Sequence, residues 1–348
     1  MENTRNIGVD VLKSFAIFSI IAQHFFTLQT PFLTTEYYGI SMFLQGCTME
    51  FFLMGVPLFV AITGYLNINK TASKQYYRNI LKVIIPYLIV STIYIFARIY
   101  IFDEHLTFRH SVGMILRFNA IPYGWYIEMW IGLYLLIPFL NILFNNLPNR
   151  KIALLLLATL YLLTIVPSTT NRFGFHILPD YWTAIWPVLC YYIGAYIKKF
   201  NPSINHKYLI SFIVIVCCIE PLLNLILFPH HDYVFVLGTG LLIYPIMAAF
   251  FMLVYRTQVN NQIIRRLLIK ISNLTLNMYL FLALFDMICY PHFMKLYESQ
   301  QQFGIYFLLF VPMLFIMAFA ASVILDYIIR FLRIDRIWKP KQTATVTV

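Results

Sequence analysis

Apolar runs about as long as a bilayer is thick recur from one end of this chain to the other, and no other feature limits its fold so severely. At 1.5 Å of rise per residue, roughly 20 residues of helix cross a hydrocarbon core. Ten such runs can be marked: 7–28, 40–66, 79–101, 122–144, 150–167, 182–199, 208–228, 233–256, 272–293 and 304–330. The fifth is short and only "PHHD" parts the seventh from the eighth, so nine is the alternative count. With 61% of its 348 residues hydrophobic and 11% charged, the chain is far outside the composition of soluble domains. The expected fold is all-α, a polytopic membrane protein of about ten transmembrane helices. One transmembrane domain is expected over 1–335, followed by a short basic tail over 336–348.

A net charge of +11 would suit a nucleic-acid partner, but the basic residues fall in alternate loops, as the positive-inside rule requires. On this scheme 19 of the 25 Lys and Arg lie on one side and four (Arg109, Arg117, Arg172, Lys295) on the other, with Lys13 and Arg98 in or beside spans. The crowded side is then cytoplasmic and holds both termini. The partners implied are the lipid bilayer and no nucleic acid. The five cysteines form no CxxC and no metal-type spacing, so they read as packing residues and no metal is expected. The first apolar run carries charges and lacks a small-residue cleavage site, so it reads as a helix rather than a signal peptide.

That first run, "VDVLKSFAIFSIIAQHFF", holds Asp10, Lys13 and His24. At 100° per residue, Lys13 and His24 share one helix face about 16 Å apart along the axis. Asp10 falls one turn below Lys13, near enough for an ion pair. A plain interfacial pair, with Lys13 snorkelling to headgroups, would explain the first two residues, and a core histidine bonded to a carbonyl would explain the third. An ionisable group this deep is nonetheless a functional candidate, and an imidazole can take a proton from a hydroxyl and hand it on. Glu128, early in the fourth run, is a second candidate acid, able to orient a histidine or bind a sugar hydroxyl. The bland reading makes it an interfacial acid beside Trp125, Tyr126 and Trp130. Glu50, Glu220 and Asp286 are weaker candidates, with nothing in the sequence to name their partners.

Together with this helix, "GVPLFVAITGYLNINK", "YYRNILKVIIPY" and "GWYIEMWIGLYLLIPFL" resemble, in order and spacing, the acyltransferase-3 family of integral membrane acyltransferases. The resemblance covers essentially the whole chain. It implies transfer of an acyl group, most often acetyl, from cytoplasmic acyl-CoA to a hydroxyl of a surface or envelope glycan. The setting it implies is the inner or plasma membrane of a bacterium. It maps the catalytic histidine onto His24, its basic partner onto Lys13, the preceding acid onto Asp10, and the coenzyme A contacts onto Lys13, Arg78 and Lys82. Acetyl-CoA is then the donor. Lys13 stands where many members have arginine, which keeps the charge and loses the bidentate fork. Pro57 and Leu282 replace an acid and a histidine common elsewhere in the family. These departures point to the O-acetyltransferase branch that modifies enterobacterial common antigen and intercellular adhesin, with succinyl as the alternative acyl group. The rival function is export of a glycan or its lipid-linked precursor, which midplane polar groups would also suit. An exporter releases its substrate unchanged, whereas the enzyme leaves an ester and free coenzyme A.

Overall fold

The computed structural model describes residues 5–171, 176, 178–237 and 240–338, and every regular element among them is helical. In chain order these are α1 (Ile7–His24), α2 (Gly39–Phe52), α3 (Gly55–Asn67), α4 (Lys74–Arg78), α5 (Leu81–Tyr100), α6 (Phe108–Leu116) and α7 (Trp125–Asn145). They continue as α8 (Arg150–Thr164), α9 (Val166–Thr170), α10 (Trp186–Phe200), α11 (His206–Leu227), α12 (Ile243–Val254), α13 (Gln262–Phe293) and α14 (Phe303–Phe331). Among the described residues, eight helical stretches are long and apolar enough to cross a membrane. The other two expected runs, 182–199 and 233–256, become the shorter α10 and α12, of 15 and 12 residues. Pro187 stands in the first turn of α10, where a missing N–H costs nothing, and the glycine-bearing "LGTGLL" stretch precedes α12. Arg172 and residues 339–348 lie outside the described residues.

Local chemistry sets the helix ends. Asn6, Ser73, Thr107, Asn149, Asn205 and Asn261 each stand at an N-cap, with a side-chain oxygen accepting from a first-turn N–H. Each such cap contributes about 1 kcal/mol. The second apolar run is not one continuous helix. Pro57 has no N–H to give Leu53, and α2 ends at Phe52 before α3 begins at Gly55.

The helix ends gather into two faces. On one, Asn6 donates to the Tyr65 hydroxyl at 3.3 Å, Asn141 donates to the carbonyls of Asn67 and Lys70, and Lys199 donates to those of Phe144 and Asn145. The described end of the chain lies on the same face, where Gln75 and Arg78 donate to the carbonyls of Trp338 and Ile337. On the opposite face Gln45 donates to the Gln300 carbonyl, and the Tyr37 N–H donates to that of His231. Between the faces α1 is central, packed against α3, α13 and α14, and its residues Leu12, Ile17 and Ile21 are fully buried.

Candidate active site

His24 ends α1, and the chain continues from it as a π-helical turn, Phe25–Gln29, rather than as more α-helix. Thr30 secures that turn, its N–H and hydroxyl both donating to the Phe25 carbonyl. Such wide turns recur at functional sites because they change the direction in which neighbouring side chains leave the helix. His24 and Asp286 of α13 are both buried, and the imidazole Nδ1 lies 3.3 Å from the Asp286 Oδ2. The same Oδ2 accepts a 2.6 Å hydrogen bond from the Tyr123 hydroxyl. The Tyr123 ring lies against the imidazole, centroids 4.2 Å apart, and the Tyr279 hydroxyl donates to the Tyr123 carbonyl at 2.8 Å. Burial together with the adjacent Asp286 charge pushes the Tyr123 phenol well above its usual range, so it stays a donor. With the Asp286 carboxylate accepting at Nδ1, the ring proton sits there and Nε2 carries the free lone pair.

Two cavities approach this group from opposite sides. One, of about 240 Å³, is lined by Lys13, Thr63, Asn67, Tyr126, Trp130 and Tyr279. The other, of about 800 Å³, is lined by Gln29, Tyr94, Tyr123, Trp125, Asp286 and Tyr290. The tyrosines form the wall between them: Tyr126 and Tyr279, ring centroids 5.1 Å apart, face the first cavity, and Tyr123 faces the second. On the second side the Asp286 Oδ1 and the Tyr290 hydroxyl are buried and lack hydrogen-bond partners. Unsatisfied groups at such a depth are costly, and a hydroxyl-bearing ligand would satisfy them.

The residues singled out in the sequence fall into three groups. His24 and Lys13 sit on the one helix as the spacing requires, with Lys13 in the smaller cavity. Asp10 is elsewhere engaged, because the ion pair expected between it and Lys13 is replaced by one with Arg5. The Arg5 guanidinium spans both carboxylate oxygens at 2.8 and 2.6 Å and adds a 3.0 Å bond to Asn273. A bidentate fork outcompetes a single ammonium, and the Asp10 charge in turn holds the Arg5 guanidinium above its ordinary range. Glu128 is exposed in the first turn of α7 and lines neither cavity. The acid beside His24 is Asp286. Arg78 donates through Nε to the Ile337 carbonyl at 2.6 Å, and Lys82 is exposed on α5.

Asp286, Tyr123, Tyr279 and Tyr290 are the site residues that sequence reasoning missed or underweighted. A lone acid in the apolar "YLFLALFDMI" was the available signal. Glu50 and Glu220 form a separate buried group, Glu50 accepting from the Tyr233 hydroxyl and Glu220 from the Leu237 N–H.

Comparison with known proteins agrees with this geometry. The Acyl_transf_3 family model, described as an acyltransferase domain, matches residues 6–327. A protein of Acidianus two-tailed virus, ORF330, named as a candidate acetyltransferase, is 23% identical over 274 residues, covering 73% of this chain and 76% of its own. No solved structure matches.

Proposed function

The chain belongs to the acyltransferase-3 family, and from that premise we propose that it moves an acetyl group from acetyl-CoA to a hydroxyl of an envelope glycan, with His24 as general base. The observation that carries this reading is the His24–Asp286 pair at the wall between two cavities. Donor and acceptor enter from opposite sides and meet at the imidazole. The Lys13 cavity takes the acyl arm of the donor, and the ammonium lies where it attracts the thioester carbonyl and the negative charge that develops there. The larger cavity takes the acceptor, whose hydroxyls satisfy Asp286 Oδ1 and Tyr290.

In the reaction Nε2 accepts the acceptor hydroxyl's proton as its oxygen bonds to the thioester carbonyl carbon. The tetrahedral intermediate then expels the coenzyme A thiolate, which takes the proton back from the imidazolium. An ester and a free thiol result, and His24 is neutral again. Asp286 offsets the imidazolium charge between the two steps and fixes the ring's tautomer.

Transfer by protein purified in nanodiscs, read as free thiol, tests this against His24→Ala at matched folded yield. Thiol release by the wild type and a loss of at least about 100-fold in the variant is expected. Equal release from both removes His24 from the chemistry. Passage of an unaltered glycan across the membrane with no thiol formed makes the protein an exporter instead.

A further inference from the structure

A third cavity, of about 540 Å³, opens among the helix ends on the face that holds the start of α1. Arg5, Lys198, Arg256 and Arg265 line it together with Asn6 and Gln258. Among the described residues the one carboxylate paired with any of these cations is Asp10, on Arg5. Cations that only orient a membrane protein extend loosely into headgroups, and these do not. The Arg256 guanidinium donates to the Asn201 carbonyl and Oδ1 at 2.9 and 2.7 Å and lies 5.1 Å from the Tyr255 ring centre. Lys198 Nζ stands 4.9 Å over the Tyr65 ring. Asn201 itself ends α10 in a left-handed conformation, φ 45°, which turns its side chain and carbonyl toward Arg256.

The cavity is also placed to communicate with the reaction site. Asn6 and Lys13 are seven residues apart, nearly two turns of one helix, so they share a face about 10 Å apart. Tyr65, which accepts from Asn6, is followed directly by Leu66 and Asn67 in the wall of the Lys13 cavity. A ligand with an anionic end and a long acyl-bearing arm could therefore run up α1 from one cavity into the other. The alternative location is less available: the Arg78 guanidinium is occupied by chain carbonyls, and Lys82 sits on an exposed helix face.

We infer that the Arg5–Lys198–Arg256–Arg265 cavity is a phosphate site that holds the nucleotide end of the acyl donor. The inference rests on the proposed function and moves the donor's phosphates away from Arg78 and Lys82. Guanidinium pairs suit it, because they bind phosphate oxygens bidentately. The same chemistry would accept a phospholipid headgroup.

The test is calorimetric binding of coenzyme A in phosphatidylcholine nanodiscs, alongside the kinetics of thiol release. Arg256→Gln/Arg265→Gln is expected to weaken coenzyme A binding about tenfold or more. It should raise KM for acetyl-CoA by a similar factor while kcat at saturation holds, and Arg256→Lys/Arg265→Lys should recover part of the affinity. Unchanged affinity in the glutamine variant overturns the inference. So does a variant that keeps its affinity and loses only the melting-temperature gain from added phosphatidylglycerol, which makes the cavity a headgroup site. A loss that falls on Arg78→Gln/Lys82→Gln instead places the phosphates there and overturns it too. Wild-type protein that binds no coenzyme A at all defeats the proposed function as well, which separates the two failures.

Discussion

A neutral imidazole accepts a proton only at the nitrogen that does not already carry one, so the neighbour of Nδ1 determines whether Nε2 is a base. In Asp286→Asn an amide replaces the carboxylate at 3.3 Å. It can donate to Nδ1, which moves the ring proton to Nε2 and disables it. The expected result is a kcat lower by about 10²–10⁴-fold with coenzyme A affinity unchanged; a structural role alone would lower folded yield and affinity together. Tyr123→Phe removes one donor to the same oxygen and should cost kcat about tenfold, in line with one hydrogen bond to a charged group. The contrast between these residues and Asp10 explains what the sequence could disclose. Helical periodicity placed His24 and Lys13 on a common face because both lie on one helix. It could not pair His24 with an acid 262 positions away, and it offered Lys13 for Asp10 when Arg5, just before the helix begins, had the better geometry.

Helices in this protein are held where two backbones come unusually close. A Cβ added at Gly64 of α3 would collide with the Tyr191 carbonyl of α10, and one at Gly194 of α10 with the Ala61 carbonyl of α3. Neither obstacle is a flexible side chain, so the helices must separate to admit a methyl group. Gly194→Ala is expected to destabilise the fold by about 1–3 kcal/mol, read as a lower melting temperature in detergent. Gly132→Ala serves as the contrast: nothing lies within 4 Å of its Cβ in α7, and relief of glycine's helix penalty should add about 0.5–1 kcal/mol. Apolar run length disclosed that these elements are helices, yet not these contacts, since a glycine in a span looks the same whether it faces lipid or a neighbouring backbone. The break at Pro57 and the shortness of α12 were likewise hidden in continuous hydropathy. The π-helical turn after His24 has no compositional signature, because "FFTLQ" is held in that form by Thr30 and not by its own propensity.

Across the whole molecule, charge and hydrogen bonding describe the same two faces. The face that gathers Arg5, Arg78, Lys199, Arg256 and the described end of the chain is where the positive-inside rule puts the cytoplasm. Its interhelical bonds join the start of α1 to the end of α3, and the ends of α7 and α10 to each other. For α10 and α12 to end on this face after only 15 and 12 helical residues, non-helical chain must complete each traverse. Irregular backbone at membrane depth is tolerated only when protein buries it or a watery cavity adjoins it. The stretch before α12 meets that requirement, with the Leu237 N–H bonded to the buried Glu220 and the Leu241 carbonyl bonded to the Tyr161 hydroxyl. Labelling with a membrane-impermeant maleimide tests the arrangement. The five native cysteines are buried or half-buried and set the background. Cysteine placed at His110, on the exposed α6, should react in intact cells. Cysteine at Lys74 or Gln258 should react only after the membrane is opened. Reaction of Gln258→Cys in intact cells, with Lys74→Cys still protected, would mean that one of the two short helices fails to cross. The basic cavity would then lie divided between two compartments, and a cytoplasmic donor could not use it.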